Sequence, residues 1–295
     1  MTKTAMITIC GRPNVGKSTL TNALVGEKVA IVSAKPQTTR NRITALVGRG
    51  DTQFVLLDTP GFHRPRTKLG DYMVNVVKES VADVDGVLLL VEPIPSVGEQ
   101  EEALITRIEE QKLPALLVIN KIDTVEKEEL LKVIAAYAAR HDFQAIVPVS
   151  ARNGDGLDEL LDEMDAFAEE GPHLFPDDMI TDQPERQICA ELVREKLLRC
   201  LDKEIPHGTA VEVTKFSERD NGIIDLEVTI FCEKESHKGI IIGKKGARLK
   251  KIGELARTDI EAFMGTKVFL QTWVKVKENW RDSNAQLRNF GFTEN

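Results

Sequence analysis

Gly11-Arg12-Pro13-Asn14-Val15-Gly16-Lys17-Ser18 stands directly after an apolar run at residues 6–10 and opens a helix-compatible stretch that begins at Lys17. G-x-x-x-x-G-K-S between a strand and a helix is the pattern of a loop that cradles phosphates. Its glycines let the backbone fold around phosphate oxygens, its amide N–H groups point inward, and the helix N-terminus adds positive potential. Lys17 is positioned by that spacing to neutralise the outer phosphates, and Ser18, followed by Thr19, to offer a hydroxyl to magnesium.

Outward from this loop, the first half alternates short apolar runs (6–10, 54–57, 86–91, 115–119, 145–149) with longer amphipathic ones (from 17, 99–111, 127–140, 157–169). Such alternation predicts an α/β fold with a doubly wound, mostly parallel sheet, whose ligands sit beyond the strand C-termini. Glu170-Gly171-Pro172 ends the last helical run, and Pro176, Asp177, Asp178 and Pro184 punctuate a polar stretch before periodicity resumes. The reading is a nucleotide domain at 1–172, a linker at 173–183 and a second domain at 184–295 with a C-terminal tail. The second domain reads as helix (184–203), strand (209–217), strand (223–233), a short helix near Ser236, helix (244–263) and strand (267–275), an α+β order of α-β-β-α-α-β.

A phosphate loop alone admits ATP, so the base must be read elsewhere. Asn120-Lys121-Ile122-Asp123 follows the buried run 115–119, where Asp123 can accept from both N1–H and N2–H₂ of guanine. Adenine lacks that donor pair and would leave the carboxylate unpaired, a penalty of roughly 1–3 kcal/mol. A polar capping turn is the plainer reading of N-K-x-D, but the phosphate loop beside it favours GTP and GDP. Asp58-Thr59-Pro60-Gly61 ends the run 54–57: Asp58 is expected to reach magnesium through water and the Gly61 N–H to meet the γ-phosphate. Ser150-Ala151 supplies a short loop for the guanine carbonyl. Thr39, or its neighbour Thr38, lies in Pro36-Gln37-Thr38-Thr39-Arg40, a loop expected to close over magnesium only when the γ-phosphate is present. Ser18, Thr39 and Asp58 are thus the expected metal set, with Lys17, Thr39, Gly61 and Asn14 the candidates for assisting hydrolysis.

Charge is segregated along the chain. The net charge is −8, which argues against a general nucleic-acid binder, yet residues 234–281 carry 12 Lys and Arg against 5 Asp and Glu, whereas residues 1–173 carry 19 against 26. Inside the basic stretch, Gly239-Ile240-Ile241-Ile242-Gly243-Lys244-Lys245-Gly246 joins a short helix to a longer one. A G-x-x-G turn with basic centre lets an RNA backbone approach closely, because glycines clear side chains and the next helix N-terminus attracts phosphate. Gly243, Lys244, Lys245, Gly246, Arg248, Lys250 and Lys251 are the candidate RNA contacts, with the apolar run 240–242, Ile242 included, as the groove floor. Phe263, Phe269 and Trp273 read as core or strand-face residues in preference to stacking platforms.

These five nucleotide segments, in this order, resemble the translation-factor-like GTPases, and the Gln37-Thr38-Thr39-Arg40 switch together with the second domain resembles the bacterial Era family over essentially the whole chain. In that class the residue after D-x-x-G is often apolar; here it is Phe62, which cannot orient an attacking water, so intrinsic hydrolysis is expected to be slow. Resemblance to relatives with an Asn in this loop offers Asn14 as a potassium holder, with simple loop capping the other reading. The α-β-β-α-α-β order with its turn resembles a type II KH domain, which grips about four single-stranded nucleotides. Family resemblance implies binding near the 3′ end of small-subunit ribosomal RNA and a part in assembling the small ribosomal subunit; a cytoplasmic location, from the lack of a membrane-length apolar run, and a monomer are separate expectations. Three other functions stay open at this point: an RNA-held scaffold in which GTP supports structure, a GTPase of RNA modification, and one of membrane signalling. The basic tail leaves peripheral contact with an anionic inner membrane face possible, although it shows no clear amphipathic anchor.

The remaining features narrow the field. No apolar run reaches the span of about 18 residues that a bilayer demands. Cys10, Cys189, Cys200 and Cys232 are scattered, and the five histidines show no ligand spacing, so packed reduced thiols are expected and no protein-held transition metal.

Overall fold

The apolar runs in the first half carry little polar interruption, as suits strands covered on both faces. In the computed structural model, described for residues 1–61, 67–80 and 84–292, they form the middle of a mainly parallel sheet. The elements are β1 (Lys3–Cys10), α1 (Lys17–Val25), β2 (Ile43–Arg49), β3 (Thr52–Asp58), α2 (Lys68–Ser80), β4 (Gly86–Val91), α3 (Glu99–Gln111), β5 (Ala115–Ile119), α4 (Lys127–Ala138), β6 (Ala145–Pro148), α5 (Leu157–Met164) and β7 (Glu169–Glu170). Among the described residues the sheet runs β2-β3-β1-β4-β5-β6, with β7 added against the start of β1. Alternate residues of one strand enter opposite cores. Leu88 and Leu90 pack with Ile7, Leu20 and Leu160, whereas Val87, Leu89 and Val91 pack with Leu104, Ile105, Val133 and Tyr137. Helices therefore cover both faces, and the order reverses at β1, which puts the loop after β1 at the switch point.

The pairing register brings the candidate loops together. Ile9 lies opposite Asp58 in the β1–β3 ladder, and Ile119 opposite Pro148 in the β5–β6 ladder. Asp58 thus flanks the phosphate loop, and Asn120 flanks Ser150.

Two elements were not expected from the alternation. β2 is antiparallel to β3, joined to it by a two-residue turn at Gly50-Asp51 with Gly50 at φ 58°; such tight hairpins favour glycine at a positive φ. α2 buries Leu69, Met73, Val76 and Val77 at helical spacing. The last helix stops at Met164, earlier than its periodicity suggests, because Phe167 turns into the core and Glu169–Glu170 pair with Lys3 and Thr4.

Residues 172–182 lie along the β2–β3 edge. Gln53 accepts from the Leu174 and Phe175 amides and donates to the Phe175 carbonyl; the Leu46 amide donates to Ile180 O at 2.9 Å, and Thr181 Oγ1 donates to Thr44 O at 2.7 Å. The chain separates into two compact units, one of Met1–Ala30, Thr39–Arg64 and Met73–Asp182, the other of Ile31–Thr38, Pro65–Tyr72 and Gln183–Asn295.

In the second unit α6 (Glu185–Cys200) precedes β8 (Ala210–Glu218), β9 (Ile224–Cys232), α7 (Glu235–Ile242), α8 (Ala247–Met264), β10 (Val268–Val276) and α9 (Asn284–Asn289). The α-β-β-α-α-β order expected from the sequence is present. The sheet is ordered β10-β9-β8, with β9 parallel to β10 and antiparallel to β8. α6 is buried nearly all round, and Ile31 joins its core with Ile188, Leu192 and Leu226. Trp280, fully buried, donates from Nε1 to Gly208 O at 3.0 Å.

Candidate functional site

The phosphate loop needs glycine where the sequence supplies it. At Gly11 (φ 151°) a Cβ would lie 2.3 Å from Leu90 O, and at Gly16 (φ 103°) 2.2 Å from Asn120 Nδ2. Asn14 also takes a positive φ, 68°. α1 starts at Lys17 with Gly16 as its N-cap and no side-chain cap, leaving its first N–H groups to face the loop. Val15 is core, and Gly61 comes so close that a Cβ there would lie 2.9 Å from Pro13.

Polar groups converge beside this loop. Lys17 Nζ donates to Gly11 O (3.0 Å) and Arg12 O (2.9 Å). Ser18 Oγ donates to Asp58 Oδ2 at 2.8 Å and lies 2.9 Å from Thr39 Oγ1. Thr59 Oγ1 donates to Ile9 O, which fixes the start of the next loop, and Pro60 is buried. Burial pushes the Asp58 carboxyl up to about 6, against the pull of Lys17 and of the Ser18 hydrogen bond. Burial likewise lowers Lys17 to about 8, opposed by Asp58. Asp58 Oδ1 is buried without a hydrogen-bond partner among the described residues.

Of the two neighbouring threonines, Thr39 meets Ser18, whereas Thr38 Oγ1 donates to Lys35 O. The Thr38 carbonyl accepts from the guanidinium of Arg194, a buried residue of α6 that sequence reading passed over. Phe62 lies outside the described residues.

The side expected to meet the base forms from two loops. Asn120, 3% exposed, donates from Nδ2 to Val15 O (2.8 Å) and accepts from the Ala151 amide (3.0 Å). Ile122 opens a short 3-10 turn, and Asp123, exposed, takes a 2.8 Å hydrogen bond from Ser150 Oγ on one oxygen. Lys121, at φ 63°, donates to Asn14 O (2.7 Å).

On the second unit, α7 ends at Ile242 and the chain turns through Gly243 (φ 73°), Lys245 (φ 51°) and Gly246 (φ 79°) into α8. A Cβ at Gly243 would lie 2.8 Å from Arg248 Cβ, so the turn tolerates only glycine there. α8 begins at Ala247, three residues later than periodicity suggests, and Gly246 caps it without a side-chain bond. Lys244, Lys245, Arg248, Lys250 and Lys251 all reach the surface; Arg248 Nη1 also donates to Ile240 O at 2.5 Å. The expected apolar floor is corrected: Ile241 is core, and only Ile240 and Ile242 reach the surface. Phe263 packs on the core, while Phe269 and Trp273 are 50% and 55% exposed on the outer face of β10.

A family model described as a 50S ribosome-binding GTPase matches residues 6–121, and one described as a KH domain matches residues 204–281. GTPase Era of Ruminiclostridium cellulolyticum is 50% identical over 293 residues, covering 99% of this chain and 98% of its own. The chain belongs to the Era family of GTPases. GTPase Era of Alkaliphilus metalliredigens is likewise 50% identical over 291 residues, covering 98% of this chain and 99% of its own. Two solved Era structures superpose with a TM-score of 0.95. One is Era of Aquifex aeolicus bound to GDP·AlF4⁻, 38% identical and covering 99% of this chain and all of that one. The other is Era in complex with MgGDPNP and nucleotides 1506–1542 of 16S ribosomal RNA, 37% identical with both chains fully covered.

Within this Era-family chain the side chain of Arg12 is ion-paired with Glu101 Oε1 (2.5 Å) and Glu92 Oε2 (3.2 Å). Both acids escaped sequence reading. Glu92 had a visible signal, since it directly follows the buried run 86–91 at the ligand-binding end of the sheet. Among the described residues no helix is long and apolar enough to cross a membrane.

The two buried charges set a pH dependence for the nucleotide-free protein. Asp58 ionises in solution near 3.8 but in the fold near 6, so the native state holds an extra proton between and loses stability as pH rises through that window. Lys17, 10.5 when free and about 8 in the fold, makes stability rise with pH between those values. Urea denaturation across pH 4–10 checks this: Asp58→Asn is expected to flatten the acid limb and Lys17→Met the alkaline one.

Proposed function

We propose that Lys17 and the amides of residues 11–19 hold the phosphates of GTP and GDP, that Asp123 selects guanine, and that the Ala151 region meets the guanine carbonyl. The observation that carries the reading is the convergence of Lys17, Ser18, Thr39 and Asp58 at one end of the site with Asn120, Asp123 and Ser150 at the other. Two hydroxyls beside a buried carboxylate with a partnerless oxygen suit a hard, oxygen-preferring cation, and Ser18, Thr39 and, through water, Asp58 would hold magnesium. Magnesium would supply charge neutralisation at the phosphates. Lys17 would bear on the same oxygens, and the Gly61 amide would meet the γ-phosphate. Turnover by the chain alone is slow on this reading, because Phe62 offers no group to orient water.

The Gly243–Gly246 turn and the surface cations Lys244, Lys245, Arg248, Lys250 and Lys251 would clamp a single-stranded RNA backbone, with Ile240 and Ile242 against the bases. The Era complex solved with nucleotides 1506–1542 of 16S ribosomal RNA supports a target near the 3′ end of the small-subunit RNA and a role in assembling that subunit. Nucleotide and RNA are linked in this proposal through the chain itself. Thr38 is held by Arg194 of the RNA-binding unit, and the next residue, Thr39, meets Ser18. A γ-phosphate that draws in Thr39 shifts the segment Arg194 holds, and RNA must favour the GTP state by the same factor.

Titration of a 3′-end oligonucleotide against the GTP-analogue and GDP forms tests the coupling, with tighter binding expected in the GTP-analogue form; equal affinities would exclude it. Gly243→Asp, which adds a clash and a negative charge at the turn, is expected to abolish RNA binding and leave GTP binding intact. Joint loss of both would refute the separate placement of the two sites.

A second cation at the phosphate loop belongs to the same proposal. Asn14 sits at φ 68° with its carbonyl tied to Lys121 and is exposed, and its side chain would help hold potassium near the phosphates. GTP turnover is expected to be several-fold faster in potassium than in sodium, and Asn14→Ala to remove the difference; equal rates in both salts rule it out.

A further inference from the structure

Glu92 is the first residue past β4, and its two carboxylate oxygens reach two different loops. Oε1 is 2.5 Å from Lys121 Nζ, and Oε2 is 3.2 Å from Arg12 Nη2. Arg12 belongs to the phosphate loop and Lys121 to the base-facing loop. Lys121 Nζ in turn donates to Asn14 O at 2.7 Å, so the ammonium spans from Glu92 back to the phosphate loop. Arg12 is braced on its far side by Glu101 of α3, itself buried, at 2.5 Å. The backbone supports the same junction, since the Asn120 amide donates to Val91 O at 2.9 Å, next to Glu92.

We propose that Glu92 is a positioning residue for nucleotide binding, a carboxylate clamp that fixes the distance between the phosphate loop and the base-selecting loop. The proposal rests on reading these loops as the two halves of one guanine-nucleotide site. The side chains of Arg12, Glu92 and Lys121 are 29–36% accessible, and ion pairs at that exposure add little to folding stability. What a carboxylate shared by two cations does supply is geometry. It fixes Arg12 and Lys121 relative to each other and orients the Lys121 stem, whose ammonium already has two of its three N–H groups engaged. The two pairs of opposite charge, Arg12 and Lys121 with Glu92 and Glu101, also cancel, whereas Lys17, inside the loop, has no carboxylate at ion-pair distance among the described residues. A ligand that touches one loop is indifferent to the clamp. A nucleoside diphosphate that must span both loops gains from having them pre-set.

That difference defines the test. In Glu92→Gln, which loses the charge and can satisfy only one cation fully, GDP and GTP are expected to bind about tenfold more weakly by the same factor, mainly through faster release of a fluorescent GDP. Guanosine alone and pyrophosphate alone, measured by ligand-observed NMR, are expected to bind as to wild type. Glu92→Asp, which keeps the charge on a shorter stem, should fall between, and it decides the matter if the Gln variant does not fold. Lys121→Met combined with Glu92→Gln should be no worse than Lys121→Met alone, because the clamp acts through Lys121. Wild-type GDP affinity in Glu92→Gln overturns the proposal, as does an equal loss of guanosine binding or strictly additive losses in the double variant. Asp123→Ala is the control for the underlying reading: GDP binding unaffected by that change would remove the site assignment itself, independently of Glu92.

Discussion

One buried side-chain amide holds the nucleotide end of this molecule in register. Asn120 follows β5, donates to the carbonyl of Val15 in the loop after β1, and accepts from the amide of Ala151 in the loop after β6. Three loops that leave three different strands are thereby set at fixed separations. It packs so closely on the phosphate loop that Gly16 must be glycine, a Cβ there falling 2.2 Å from the amide nitrogen. Removing the amide would strand two buried backbone groups, each costing about 1–3 kcal/mol. It would also free the phosphate-facing and base-facing halves to drift apart.

Around that tie the protein stores an electrostatic imbalance. Lys17 and Asp58 are both buried, and each has its ionisation pushed toward neutrality. Charged side chains kept in a dry site are costly unless a partner arrives. On the proposed reading, phosphate for Lys17 and a divalent cation for Asp58 would be partners of the right sign, so the burial that costs folding free energy would favour ligand binding. The acids Glu92 and Glu101 keep Arg12 and Lys121 out of this contest.

The outline of the fold was legible because the burial of β3, β4 and β5 on both faces writes uninterrupted apolar runs into the sequence, and because the second unit spells its elements one after another. The antiparallel β2 was hidden by the strength of the strand-helix alternation, although Gly50-Asp51 marked its hairpin. α2 escaped although Thr67 caps it, its Oγ1 accepting from the Gly70 amide at 3.2 Å, because Gly70, Asp71 and Asn75 interrupt its apolar residues. At the site, the structure brings together Lys17, Ser18, Asp58, Asn120 and Asp123, the residues that motif spacing singled out. Residues whose contribution depends on the partners the fold brings to them could not be read that way. Glu101 and Arg194 are ordinary charged residues until α3 and α6 carry them to Arg12 and Thr38, whereas the place of Glu92 at a strand end was legible and only its partners were hidden. Phe269 and Trp273 take the strand-face placement on the edge strand β10, and alternation there fixes which side a residue takes but not whether anything covers it.

The central claim, that loop register set by Asn120 underlies nucleotide binding, is most directly tested by measuring GDP affinity and folding stability together in Asn120→Ala. The account predicts a folded protein, less stable by about 2–6 kcal/mol for the two stranded groups together, whose GDP affinity falls by at least two orders of magnitude because both loops lose their common anchor. A folded variant that binds GDP as tightly as the parent would contradict it.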